Sequence, residues 1–325
     1  MRNRTTSGFL FRIPNSALRI SSDMPTLAHF SDIHLTAKPL GWRPRDWFSK
    51  RISGWVNVRV LGRGRRFKLA PTVAVALMAD IRQRQPDAIV FSGDASHLGF
   101  ESEMVAAAAA VGVGDESLPP AVTVPGNHDY YTTRAAVGLG FERNFAPWQE
   151  GKRLDGFHYP FARKVAGVWL IGVCSATANR WRGDASGAVG AVQLANLRDL
   201  CDGLDDGPRV LVTHYPLRTA DGRVEPLVHR LRDHEAALQA AKACGISLWL
   251  HGHIHTAYVL KPSPAIPFPV ACAGSATQNN RWSYYEHVLG DGTLVSHRRE
   301  YDPTAGAFRE VEVTEVEMPV PQHQG

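Results

Sequence analysis

Thr26-Leu27-Ala28-His29-Phe30-Ser31-Asp32-Ile33-His34 sets the pattern for the whole chain: a short β-type run that ends directly in an aspartate and, two positions on, a histidine. The same design recurs along the chain. Ile89-Val90-Phe91 leads to Gly93-Asp94, Val122-Thr123-Val124 to Gly126-Asn127-His128-Asp129, Val210-Leu211-Val212 to His214, and Leu248-Trp249-Leu250 to Gly252-His253-Ile254-His255. In open α/β sheets the crevice beyond the carboxyl ends of the strands is the usual binding region. Residues spread over most of the chain are therefore expected to converge there.

The segments between these runs have helical patterns near 70–85, 101–112, 189–204 and 233–243, alternating with strands near 26–31, 87–92, 121–124, 167–174, 209–213 and 246–250. That is α/β ordering, and the pattern fits a single two-layered domain. After residue 255 the texture changes to β-type runs near 257–261, 268–273, 284–289 and 293–300, the last two joined by the hairpin signature Gly290-Asp291-Gly292. An antiparallel C-terminal sheet is expected, followed by a tail over 303–325.

Composition excludes several classes. With 44% hydrophobic and 21% charged residues the chain matches globular averages rather than disordered, fibrous or membrane-embedded ones. No apolar run approaches the roughly 18 residues of a spanning helix. Cys174, Cys201, Cys244 and Cys272 lack C-x-x-C spacing, so buried, reduced thiols are expected. Arg12 interrupts the apolar Phe9-Leu10-Phe11 before a secretory core could form. The expected location is cytoplasmic, with residues 1–23 either a disordered extension or an overlong start ahead of Met24, and residues 24–302 as the domain.

The net charge of +5 is unevenly placed: residues 38–68 carry ten Lys or Arg against the single acid Asp46, so the remainder is negative. Within this basic insertion Phe48, Ile52, Trp55, Val56 and Val60 have the spacing of an amphipathic helix running from Asp46 to Leu61, weakened by Gly54. Three roles fit it. The helix packs its apolar stripe on the domain with cations in water, it forms a phosphate-steering rim, or it makes peripheral contact with an anionic membrane surface.

Two aspartates, one asparagine amide and four histidines are enough donors for two first-row metal ions if one carboxylate is shared. Mixed imidazole and oxygen ligands suit Mn, Fe, Zn or Co better than Ca or Mg, and the lack of thiolates argues against a structural zinc site. Paired ions lower the pKa of water and steady attacking and leaving oxygens, which suits phosphoryl transfer to a bridging hydroxide. Gly93, Gly126 and Gly252 would let the backbone turn sharply or approach the metals. His29, His158, His229, His234, His287 and His297 are read as ordinary surface or core histidines, and His251 as structural.

In their order and their place at strand ends, Asp32-Ile33-His34, Gly93-Asp94, Gly126-Asn127-His128-Asp129, His214 and Gly252-His253-Ile254-His255 resemble the motif set of the calcineurin-like metallophosphoesterase superfamily. The resemblance spans residues 27 to about 290. It implies a four-layer α/β/β/α sandwich of two mixed sheets. It also implies that Asp32, His34 and His255 hold one divalent or mixed-valence ion, that Asn127, His214 and His253 hold the other, and that Asp94 bridges. His128 is implied to contact the phosphoryl group or to protonate the leaving oxygen. Many relatives carry an acid three residues after the bridging aspartate; here His97 stands in that place. Either Asp129 orients His128, or His97 itself faces substrate phosphate.

The implied activity is hydrolysis of a small anionic phosphodiester or phosphomonoester, most like the bacterial branch with cyclic-nucleotide and glycerophosphodiester phosphodiesterases. The alternative is a membrane-surface enzyme similar to UDP-diacylglucosamine pyrophosphohydrolases. Nucleic acid is not the expected partner, since no stacking aromatic array or DNA-capture domain accompanies the site. A non-catalytic protein-binding scaffold of this fold would be expected to have lost ligands or the catalytic histidine, and this chain retains the whole set.

Overall fold

The computed structural model describes residues 24–181 and 183–319; the extension expected at 1–23 lies outside them. In chain order the elements are β1 (Thr26–Phe30), α1 (Arg51–Arg59), α2 (Ala70–Arg84), β2 (Ala88–Phe91), α3 (Glu101–Ala110), β3 (Ala121–Thr123), α4 (Thr133–Val137), α5 (Gly140–Asn144), β4 (Lys152–Arg153), β5 (Phe161–Val165), β6 (Val168–Gly172), α6 (Ala191–Asp202), β7 (Arg209–Val212), α7 (His234–Ala243), β8 (Leu248–His251), β9 (Ala257–Leu260), β10 (Val270–Ala273), β11 (Ser283–Gly290), β12 (Thr293–Asp302) and β13 (Ala307–Glu317). They form one mixed sheet in the order β13-β12-β11-β1-β2-β3 and a second in the order β4-β5-β6-β7-β8-β10-β9.

The strands that carry the motifs, β1, β2 and β3 in one sheet and β7 and β8 in the other, run parallel to their motif-bearing neighbours. Both faces of β2 and β8 are buried along their length, which is why these runs are continuously apolar rather than alternating. Between the sheets Leu27, Val90 and Val122 belong to the same core as Leu170, Val210 and Leu248. Outside the first sheet, Val73, Leu77 and Ile81 of α2 pack with Phe30 and Phe91. Outside the second, Leu194 and Leu197 of α6 and Leu238 of α7 pack with Ile171, Leu211 and Trp249. The result is the four-layer α/β/β/α sandwich rather than two layers, because each sheet has its own outer helices and its inner face is closed by the other sheet.

Two further readings are corrected. The C-terminal strands do not form one antiparallel sheet: β9 and β10 finish the second sheet and β11, β12 and β13 finish the first. The tail expected over 303–325 is also not a tail as far as it is described. β13 pairs antiparallel with the whole of β12 as an edge strand. Its Glu310 and Glu312 meet His297 and Arg298 at 2.9 and 2.8 Å, so the acidic, polar composition that reads as a tail is the solvated face of a strand.

The basic insertion is inverted relative to its expected packing. Two 3-10 turns, Pro44–Phe48 and Arg63–Phe67, flank a shorter helix, α1, and the residues this helix buries are Arg51 and Gly54 rather than the apolar stripe. Arg51 donates to Asp46 Oδ1 at 2.7 Å, to the Leu98 carbonyl at 3.0 Å and to the Gly99 carbonyl. A Cβ on Gly54 would stand 2.3 Å from the Tyr131 hydroxyl, so this glycine permits the close approach of α1 to the loop after β3. Trp47, Phe48, Val60 and Leu61 are left 60%, 91%, 66% and 72% exposed.

The α2 layer is fixed by a buried charge pair. Asp80 accepts two bonds from Arg299 of β12, at 2.7 and 2.9 Å, and one from the Tyr284 hydroxyl of β11. Removing one partner of a buried pair strands the other in a low-dielectric setting. Asp80→Ala is therefore expected to lower stability to urea by about 3 kcal/mol, with Asp80→Leu/Arg299→Met recovering most of the loss. A loss under about 1 kcal/mol for the single variant, the range of solvent-screened pairs, contradicts this account.

Candidate metal centre

The carboxyl ends of β1, β2, β3, β7 and β8 meet at one edge of the sandwich and bring the seven motif ligands together. Asp32, His34, Asp94, His253 and His255 all adopt left-handed backbone conformations, with φ between 40° and 71°. Only nine non-glycine residues do so among those described, so the strain is concentrated at this site. Such conformations cost on the order of 1–3 kcal/mol each and persist where the surroundings over-determine them. Here the constraint is interlocking of loops: the Asp32 N–H donates to the Gly93 carbonyl, the His34 N–H to the Asp94 carbonyl, and the His253 N–H to Asp32 Oδ2, each within 3.0 Å. A Cβ on Gly126 would lie 2.1 Å from Asp94 Oδ1, and one on Gly252 1.9 Å from Ser31 Oγ, so both positions require glycine.

The hydrogen bonds on the far side of each imidazole define what faces inward. Nδ1 of His34 donates to the Ser96 carbonyl at 3.1 Å and Nδ1 of His214 to the Ser92 carbonyl at 2.8 Å, while Nδ1 of His255 bonds the Gln278 side-chain oxygen. In its neutral form each ring would then present a lone pair on Nε2. His34 Nε2 and His255 Nε2 stand 3.1 Å apart, and His255 Nε2 is 3.0 Å from Asp32 Oδ1. Asp32 Oδ1 is buried without a hydrogen-bond donor. His214 Nε2 and His253 Nδ1 face Asn127 Oδ1 at 3.2 and 3.0 Å. Acceptors converge on acceptors with few protons to share, an arrangement that cations satisfy.

The donors fall into two sets. Ligand atoms of Asp32, His34, Asp94 and His255 lie within 4.8 Å of one another. Asn127, His214 and His253 form the second set. Asp94 belongs to both, because its Oδ2 is 3.6 Å from His34 Nε2 and 3.4 Å from His214 Nε2 while its Oδ1 accepts the His128 N–H at 2.8 Å. The residues fit two metal ions sharing one carboxylate oxygen. Burial disfavours charge on His214, yet the adjoining Asp94 raises its imidazole to about 9, so metal must displace a proton there.

His128 stands beside this centre. Its Nδ1 donates to the His97 carbonyl at 2.6 Å and its Nε2 accepts from Arg63 Nη2 at 2.8 Å. Burial and the Arg63 charge hold its imidazole well below the ordinary histidine range. Neither orientation offered by the sequence describes this geometry, since the orienting group is the backbone of His97. The His97 ring is buried against His34 and Phe67 and does not line the cavity. Asp129 instead accepts backbone N–H bonds from Asp94, Ala95, Ser96 and Gly126, tying the loops after β2 and β3 together. His251 bonds the Tyr258 hydroxyl and takes no place in either set.

A cavity of about 610 Å³ opens over the centre, lined by Arg63, Arg66, His128, Glu225, His229 and Arg281 among others. Arg63 and Arg66 are legible in the sequence only as members of a charge run, and His229 reads as an ordinary histidine. Glu225 and Arg281 carry no sequence signal, because each comes from an irregular loop with no recognisable spacing to the motifs. Glu225 Oε2 lies 3.4 Å from His253 Nε2, the ring nitrogen turned away from the centre.

A family model described as calcineurin-like phosphoesterase matches residues 25–257. No curated protein matches the chain. Among solved structures, a dimetal phosphatase from Danio rerio is similar at 12% identity and a TM-score of 0.62, covering 91% of this chain and 99% of that one. GAP50, the anchor in the inner membrane complex of Plasmodium, is similar at 11% identity and a TM-score of 0.55, covering 92% and 90%. Purple acid phosphatase PPD1 from yellow lupin seeds is similar at 13% identity and a TM-score of 0.55, covering 91% of this chain and 54% of that one. At these identities the likeness speaks for the fold.

Outer partners that fix a ligand histidine typically change metal affinity 10- to 100-fold. Glu225→Ala is accordingly expected to weaken one of two metal-binding steps by roughly tenfold or more in a calorimetric Mn²⁺ titration, leaving the other unchanged. Equal weakening of both steps, or of neither, contradicts the placement of Glu225 behind His253.

Proposed function

The chain belongs to the calcineurin-like phosphoesterase family, and from that premise we propose that it is a metal-dependent hydrolase that cleaves phosphodiesters, with phosphomonoesters as poorer substrates. The observation that supports this most is the sharing of Asp94 Oδ2 between two sets of inward-facing acceptors. Asp32, His34 and His255 would hold one ion, Asn127, His214 and His253 the other. Metal ions at such a site supply Lewis acidity and make water a nucleophile near neutral pH. A cavity of about 610 Å³ is of the size that takes a small ligand.

The remaining work belongs to the protein. Arg63 aims its guanidinium at the space beside Asp94 and His128 and donates to His128 Nε2. A phosphoryl oxygen that takes this N–H releases Nε2, and the nearby anion favours its protonation. His128, held by the His97 carbonyl, is then placed to pass a proton from Nε2 to the leaving oxygen. The Mn²⁺-loaded protein should hydrolyse bis(p-nitrophenyl) phosphate faster than p-nitrophenyl phosphate. His128→Ala should keep its metal and lose about 10²- to 10⁴-fold in kcat, and Asp94→Ala should lose metal and activity together. No cleavage of either ester by metal-loaded wild type contradicts the reading.

A second reading, action at a membrane surface, is favoured by one observation: exposed Trp47, Phe48, Val60 and Leu61 stand among the cations of the insertion that forms the cavity rim. Among the described residues no helix is long and apolar enough to cross a membrane, so the contact would be interfacial. Vesicles containing phosphatidylglycerol should sediment the wild type at low salt and leave Trp47→Ser/Phe48→Ser in solution. Equal sedimentation of both proteins contradicts it.

A further inference from the structure

The wall of the cavity on the His255 side is cationic beyond what one phosphoryl group requires. Arg63, Arg66 and Arg281 all line it, and among the described residues none has a carboxylate within 4.0 Å. Arg66 and Arg281 lie on two loops that are stitched together. The Asn279 N–H donates to the Arg66 carbonyl at 2.7 Å, and the Asn279 side chain donates to the Arg65 carbonyl at 3.1 Å. Arg281 is steadied by the His255 carbonyl at 3.2 Å and the Thr256 hydroxyl at 2.5 Å. Both partners are neutral, so its charge is left uncompensated. Glu225, a carboxylate that also lines the cavity, faces His253.

Arg63 reaches His128 and the space over Asp94, where the reacting phosphoryl group belongs. Arg66 and Arg281 lie on the joined loops beside it, and guanidinium forks without a carboxylate are suited to bidentate capture of phosphate. We propose that Arg66 and Arg281 form a subsite for a second phosphoryl group, so that the substrate is a diphosphate substituted at both ends. Each phosphorus of such a compound is itself a diester, so the inference rests on the phosphodiesterase reading and narrows it. In the reaction the oxygen of one water bonds to one phosphorus and the bridging P–O bond breaks. Its electron pair leaves on the second phosphate, which takes a proton from His128 Nε2; the proton shed by the water replaces it, and two phosphomonoesters result without any redox partner.

The test is calorimetric titration of the Mn²⁺-loaded protein with inorganic phosphate and with inorganic pyrophosphate, free Mn²⁺ being buffered at one value throughout. Wild type is expected to bind pyrophosphate at least about tenfold more tightly than phosphate, as one added charge-assisted contact gives. Arg66→Gln/Arg281→Gln should lose that advantage while binding phosphate as the wild type does; both side chains are exposed, and an unchanged thermal melt would confirm the variant's fold. Pyrophosphate binding no tighter than phosphate, or an advantage that survives in the double variant, overturns the subsite. If phosphate itself fails to bind loaded wild type, the phosphoesterase reading falls and the subsite falls with it.

Discussion

The position of one carboxylate oxygen organises this molecule. Asp94 Oδ2 stands between His34 and His214, one histidine from each half of the sandwich, so it can be reached from both sides only if the two sheets pack face to face with their motif-bearing strand ends at one rim. The inner core of Leu27, Val90, Val122, Leu170, Val210 and Leu248 holds them there. Strand ends alone would not aim the side chains inward. Left-handed turns at Asp32, His34, Asp94, His253 and His255 do that, and the hydrogen bonds that interlock their loops keep these turns from relaxing. Apart from the proton that Asp94 holds on His214, acceptor faces acceptor, as at His34 and His255 beside the undonated Asp32 Oδ1. The fold therefore holds a site whose natural complement is metal.

Much of this was legible in the sequence, for a physical reason. A ligand has to be a particular residue type, and it has to stand where a strand stops, so both chemistry and position leave marks: the apolar run of 89–91 ahead of Asp94, or of 248–250 ahead of His253, is visible without coordinates. The other half of the site leaves no such marks. Glu225 and Arg281 sit on loops whose course depends on tertiary contacts, and a carboxylate or guanidinium there looks like any surface charge. The orienting partner of His128 was unreadable for a different reason, since it is a backbone carbonyl, and the side chain of His97 says nothing about it.

The insertion shows how amphipathic spacing can mislead. Phe48, Ile52, Trp55, Val56 and Val60 have helical periodicity, but the face that docks is set by Arg51 and Gly54. A guanidinium that bonds Asp46 and two loop carbonyls can be buried where an apolar side chain would leave those carbonyls unsatisfied. Gly54 brings the helix close enough to Tyr131 for this to happen. The consequence is functional. Anchored in this way, the insertion carries Arg63 to His128 and Arg66 to the cavity rim, and it leaves Trp47 and Phe48 facing outward. A segment readable only as a basic run thus becomes a wall of the site. The edge strand β13 makes the same point in reverse: a largely solvated strand has the composition of a tail, although its glutamates pair across the sheet with His297 and Arg298.

Whether one carboxylate oxygen joins two metal positions is read from electron paramagnetic resonance of the protein loaded with Mn²⁺, with metal content measured on the same sample. Two ions per chain and the multiline spectrum of an exchange-coupled pair are expected. One ion per chain, or two with the spectrum of isolated Mn²⁺, would contradict the shared oxygen.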